Sequence, residues 1–124
     1  AYGFVPHTLW DDGDPLDILI FIDEPLTQGV LVEVKPIGIL RMKDEKGPDD
    51  KLLSVAINDP TYRSINDVKE VPHHLLVEIE HFFTSYKMLE NKHVESFGWD
   101  NVLAALEAVK QGQKNYLKKK KSKK

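Results

Sequence analysis

The sequence predicts an α+β domain with a mainly β core, a small barrel or sheet covered by two C-terminal helices. Three observations carry this. Residues 16 to 57 hold several short runs rich in β-branched residues, bounded by Pro, Gly or Asp. From residue 73 onward the apolar period becomes helical. The chain has 124 residues, 41% of them apolar, enough for one modest core and too few for two domains. Strands first and helices after is an α+β order.

The elements follow in turn. Residues 16–22, LDILIFI, read as the first strand. Residues 30–35, VLVEVK, and 37–42, IGILRM, read as two more, separated by Pro36, and 51–57, KLLSVAI, as a fourth. Residues 43–50, KDEKGPDD, form a polar turn, and 58–72 an irregular stretch closed by Pro72. Leu75, Leu76, Ile79, Phe82, Phe83, Tyr86 and Leu89 recur with helical spacing, predicting a helix over 73–90. Residues 93–98 suit a short strand. A second helix runs from Trp99 to about Leu117, with Val102, Leu103, Leu106 and Val109 facing inward. The domain spans 1–117, and 118–124, KKKKSKK, reads as a disordered lysine-rich tail.

Composition narrows the function. There is no cysteine, which excludes disulfides and thiolate metal sites. No apolar run approaches the roughly 20 residues of a membrane span. The opening AYGFVP lacks the basic and long apolar regions of a secretory leader, and also lacks a methionine, as a fragment would. From Lys114 onward there are seven lysines and no acid; the rest carries ten basic and twenty acidic side chains. A body near −10 is a poor nucleic-acid surface and a good one for cations. It accepts a phosphate substrate only with metal ions in between. The tail reads as solvated, and the compartment as cytoplasmic. His7, His73, His74, His81 and His93 lack zinc-ligand spacing and read as structural, and Trp10 and Trp99 as packing residues.

The densest charge is DDGDPLD at 11–17. Asp12, Asp14 and Asp17 surround Gly13 and Pro15, a bend that can aim carboxylates at one point. Oxygen-only ligands suit hard cations such as Mg²⁺, Mn²⁺ or Ca²⁺. An EF-hand is excluded: the loop lacks glycine at its sixth position, contains Pro15, and has Asp23 where the closing glutamate belongs. A second acidic turn holds Asp44, Glu45, Asp49 and Asp50, with Lys51 directly after. Two such turns at strand ends can converge on one multi-metal site, where phosphoanhydride hydrolysis is a natural chemistry.

DGDPLD at 12–17 resembles the D-[SGDN]-D-[PE]-[LIVMF]-D signature of family I soluble inorganic pyrophosphatases. YGFVPHTL (2–9), GILRMKDEKGPDDKLLSV (38–55) and IEHFFTSYKMLEN (79–91) resemble further family segments, in the same order. The resemblance covers roughly residues 2–110. It implies an OB-like five-stranded β-barrel and Mg²⁺-dependent hydrolysis of pyrophosphate to two phosphates, with several metal ions per site and Mn²⁺ as a substitute. Residue by residue, it implies Asp12, Asp17, Asp44 and Asp49 as metal ligands and Asp14 as acceptor of the attacking water's proton. Tyr2, Lys51, Tyr86 and Lys87 become contacts to substrate or product phosphate. It further implies a homo-oligomer, a hexamer rather than a dimer, with no nucleic-acid or membrane partner. The family's N-terminal third has no counterpart here, which would leave the barrel incomplete and the chain alone with little or no activity. The rival reading is a non-catalytic divalent-cation-binding or interaction module derived from such an enzyme.

Overall fold

A computed structural model of the chain describes residues 1–122. Strands β1 (Tyr2–Phe4), β2 (Asp17–Phe21), β3 (Val34–Asp44), β4 (Gly47–Pro48) and β5 (Lys51–Ala56) come first. A 3-10 turn (Val68–Glu70), helix α1 (His73–Leu89), strand β6 (Glu95–Asp100) and helix α2 (Val102–Ser122) follow. One mixed sheet runs β1-β2-β5-β3-β4, with β6 also on β3. β2 and β5 are parallel, and every other pairing is antiparallel. The expected mainly β core with two covering helices is present. The sheet is open: among the described residues no pairing joins β1 to the far end.

The core is built as the apolar runs require. Trp10, Leu16, Ile18, Ile39 and Leu52 pack against Ala105 and Ala108 of α2. Ile37, Leu53 and Val55 pack against Val68, Val71 and Leu76, and Leu40 and Met42 against Phe83. All six residues of β5 are buried, as befits a central strand covered on both faces.

Four boundaries differ from the sequence reading. Pro36 does not break the strand: β3 runs through it, and the ladder to β5 shifts register between Pro36 and Gly38, where a bulge takes up the missing N–H. Residues 30–33 are not strand; they follow a turn at Gly29, φ +88°, and Leu31 is 86% exposed. Trp99 belongs to β6, and α2 starts after Asn101, whose side chain accepts from the Ala104 N–H at 3.0 Å. Lys118–Lys121, expected in a disordered tail, continue α2. Lysine is a good helix former, and cations are favoured in a last turn. Lys123 and Lys124 lie outside the described residues.

The inward face of α2 also differs. Val102 and Val109 are half-buried as expected, but Leu103 and Leu106 are 70% and 43% exposed. Ala105 and Ala108 face the core instead, and Gly112 faces Thr8 and Trp10. Small residues let the helix approach closely: a Cβ at Gly112 would stand 3.1 Å from that of Thr8. On α1, Leu76 and Phe83 are buried while Phe82, Tyr86 and Leu89 remain exposed.

Candidate active site

The β2–β5 ladder places Asp17 opposite Lys51. Because the strands are parallel, the loops leading into both lie at one end of the sheet. Those loops are the two acidic turns. The first bends at Gly13, φ +90°, a conformation that favours glycine. It is held by Trp10 N–H to Asp14 O at 2.8 Å, Gly13 N–H to Trp10 O at 3.0 Å and Asp14 N–H to Asp12 Oδ1 at 3.0 Å. The second turns at Gly47, φ +123°, with Lys46 N–H donating to Asp44 Oδ1 at 2.9 Å and Asp49 N–H to Met42 O at 2.9 Å.

These loops, β1 and the flank of α1 enclose a cavity of about 700 Å³. All nine residues singled out from the sequence line it: Tyr2, Asp12, Asp14, Asp17, Asp44, Asp49, Lys51, Tyr86 and Lys87. The sequence reading missed part of its wall. Phe82 and Phe83 form an aromatic side, with Phe83 5.7 Å from the Tyr2 ring and 5.5 Å from Lys51 Nζ. Helical spacing had put both on a core face without distinguishing them. Lys92 was also missed, at the rim, where nothing in the sequence sets it apart. Asp50 differs from its acidic neighbours: it is buried away from the cavity and accepts hydrogen bonds from Trp10 and Met42.

Lysines neutralise the carboxylates. Lys51 Nζ lies 2.7 Å from Asp17 and 3.0 Å from Asp49. Lys87 Nζ lies 3.3 Å from Asp49 and 3.7 Å from Asp44. Burial works against the Lys51 charge, yet the bond to Asp17 and the Asp49 carboxylate outweigh it and raise the pKa. Burial likewise opposes the Asp49 charge, and Lys51 and Lys87 overcome it and lower that pKa. Asp12 goes the other way: burial, with a smaller push from Asp49, lifts it to about 6. Burial pushes Tyr2 up to about 12.

Among the described residues no three acidic side chains stand close enough to form a ready ligand shell. The donor set nevertheless fits a hard divalent cation. It is oxygen-only and converges on one cavity, and the Lys51 ammonium already stands as a cation between carboxylates of both loops.

The family model for inorganic pyrophosphatase matches residues 1–117. The chain belongs to this family. A pyrophosphatase of Methanosarcina acetivorans is 47% identical over 97% of this chain and 71% of its own length. The structure of the Helicobacter pylori pyrophosphatase superposes with a TM-score of 0.88 at 40% identity, over 94% of this chain and 70% of that one. The Thermus thermophilus pyrophosphatase gives 0.86 at 45% identity, over 93% and 68%. Pyrophosphatases of this family depend on metal, as the carboxylate cavity would require. Among the described residues, no helix is long and apolar enough to cross a membrane.

Proposed function

We propose that the cavity hydrolyses inorganic pyrophosphate to two phosphates with several Mg²⁺ ions, for which Mn²⁺ can substitute. One observation carries this reading: two acidic loops, distant in sequence, meet two lysines and two tyrosines at a single cavity in a pyrophosphatase-family chain. Asp12, Asp17, Asp44 and Asp49 hold the metal. Bound there, it would supply charge to offset the phosphoryl oxygens and would lower the pKa of water. Asp14, exposed on the first loop, accepts the proton of the attacking water. Lys51 keeps its charge through the neutral range, since its pKa is raised, and would offer its ammonium to a phosphate oxygen where Asp17 and Asp49 served a metal instead. Tyr2, with its pKa near 12, stays protonated and donates its O–H to a phosphate oxygen. Tyr86 and Lys87 donate from the α1 side.

The catalytic domain is residues 1–117, where the family match ends, and the lysine-rich 118–124 lie beyond it. The enzyme acts in the cytoplasm as a homo-oligomer, a hexamer rather than a dimer. Exposed Phe82, Leu89, Phe97 and Leu103 give it apolar surface to cover.

The test uses this chain extended at its N-terminus with the corresponding segment of the Methanosarcina acetivorans relative. Phosphate release should require Mg²⁺ or Mn²⁺. Asp14→Asn should cut turnover about a hundredfold or more while leaving Mn²⁺ affinity within about twofold. Persisting hydrolysis in Asp14→Asn overturns its role as proton acceptor. Metal binding without hydrolysis in the extended wild type would instead support a non-catalytic cation-binding module.

A further inference from the structure

Trp10 and Asp50 sit behind the cavity and line none of it. Both are buried, and Trp10 Nε1 donates to Asp50 Oδ2 at 3.0 Å across forty residues of sequence. Trp10 belongs to the first acidic loop, two residues before Asp12. Asp50 belongs to the second, between Asp49 and Lys51. Its other oxygen, Oδ1, accepts from Met42 N–H at 3.0 Å, which fixes the loop to the end of β3. Arg41 adds charge at 3.5 Å from Oδ2 and reaches Asp100 at 3.8 Å. On the first loop, the Trp10 backbone closes the turn that carries Gly13 and Asp14.

The bond therefore joins the two loops on the core side. On the cavity side they meet through groups that must change partner when a cation enters. Lys51 bridges Asp17 and Asp49, and Asp12 and Asp49 lie near enough to interact electrostatically. Neither contact can hold the loops in register while its carboxylates turn to metal. The Trp10–Asp50 bond can, because both Asp50 oxygens are already committed and neither faces the cavity.

We propose that Trp10 and Asp50 are positioning residues that set the spacing between the Asp12–Asp17 and Asp44–Asp49 carboxylates, and so fix the affinity of the cavity for a divalent cation. The inference rests on the reading of this cavity as the metal site. Groups that orient metal ligands from behind change affinity by about ten- to a hundredfold when removed.

The test is made on the 124-residue chain with Mn²⁺ as probe, followed by electron paramagnetic resonance. It runs well below the melting temperature of each variant. Trp10→Phe keeps an aromatic ring, though a smaller one, and removes the donor; Asp50→Asn keeps the shape and replaces one acceptor with a donor. Each should weaken Mn²⁺ binding about tenfold, and the double variant should be no weaker than the worse single one. Amide hydrogen exchange in metal-free protein should quicken in 11–17 and 44–50 in both variants. Val68→Ala, in a different part of the core, serves as control: it should lower the melting temperature and leave Mn²⁺ affinity unchanged. Unchanged affinity in folded Trp10→Phe and Asp50→Asn overturns the proposal. So does an equal loss in Val68→Ala, which would make the effect one of general stability. If the wild-type chain binds no Mn²⁺, the metal reading falls, and exchange in the two loops still decides whether the bond positions them.

Discussion

Lys51→Met keeps the length and apolar stem of Lys51 and removes only its charge. In the metal-free protein this leaves Asp17 and Asp49 without the ammonium that stands 2.7 and 3.0 Å away. Breaking a buried ion pair by deleting one partner costs about 3–5 kcal/mol. The lower end applies here, for two reasons. The Asp17 side chain is 25% exposed and regains some solvation, and Lys87 still faces Asp49 at 3.3 Å. The methionine also retains contact with the Phe83 and Tyr2 rings but loses the cation–π attraction of the ammonium. A loss of about 3 kcal/mol should lower the melting temperature of a chain this size by roughly 10–15 °C. Mg²⁺ supplies charge to the same carboxylates, so saturating Mg²⁺ should recover at least half of that loss. Thermal unfolding followed by circular dichroism, with chelator and then with saturating Mg²⁺, measures both effects. Equal losses in the two conditions would refute the idea that lysine and metal compete for the same oxygens. No loss in chelator would refute the buried pair itself.

Two further outcomes follow from the geometry. Burial holds the folded-state pKa of Asp12 near 6, above the ordinary aspartate value of 3.8. A raised acid pKa contributes stability that is complete below the unfolded value and is lost as pH rises through about 6. Metal-free protein should therefore lose stability from this group between about pH 4 and 6, and Mg²⁺ affinity should weaken below about pH 6 as proton and metal compete; calorimetric titration at several pH values checks both. Gly38→Ala should destabilise the fold by about 1–3 kcal/mol in urea unfolding, because a Cβ there would meet Val68 Cβ at 2.6 Å and the Asp100 carbonyl at 3.0 Å.

The site was more legible in the sequence than the elements that frame it. Carboxylates cluster around Gly13 and Gly47, positive-φ glycines that sharpen each loop, and such density is visible without a structure. The strand boundaries were harder, because Pro36 ordinarily ends a central strand and only the bulge with β5 reconciles it. Strand β1 has three residues, too few for any alternation to show, and is defined by its pairing with β2. The face of α2 misled because leucine usually marks the buried stripe, while here Ala105, Ala108 and Gly112 allow close approach. Asp50 could not be separated from Asp49 by pattern alone: they are adjacent and chemically identical, and only the donor that each meets tells them apart.

The balance of charge inside the cavity indicates where a cation gains most. Asp17, Asp44 and Asp49 each have an ammonium group within ion-pair distance, from Lys51 or Lys87. Asp12 and Asp14 have none among the described residues. Asp12 interacts instead with Asp49 across the gap between the loops, and burial favours its protonated form. The metal-free cavity thus tolerates its crowding by two devices, lysine on one side and, below about pH 6, a proton on Asp12 on the other. A divalent cation entering at Asp12 would find no lysine to displace from that carboxylate, although a share in Asp49 would compete with Lys51 and Lys87. A cation at Asp17 must first displace Lys51 from a 2.7 Å contact. The first metal should therefore enter at the Asp12 side, and Asp12→Asn should weaken the tightest Mn²⁺ site more than Asp44→Asn does. Equal effects, or a larger one at Asp44, would mean that the ion pairs do not set the order of filling.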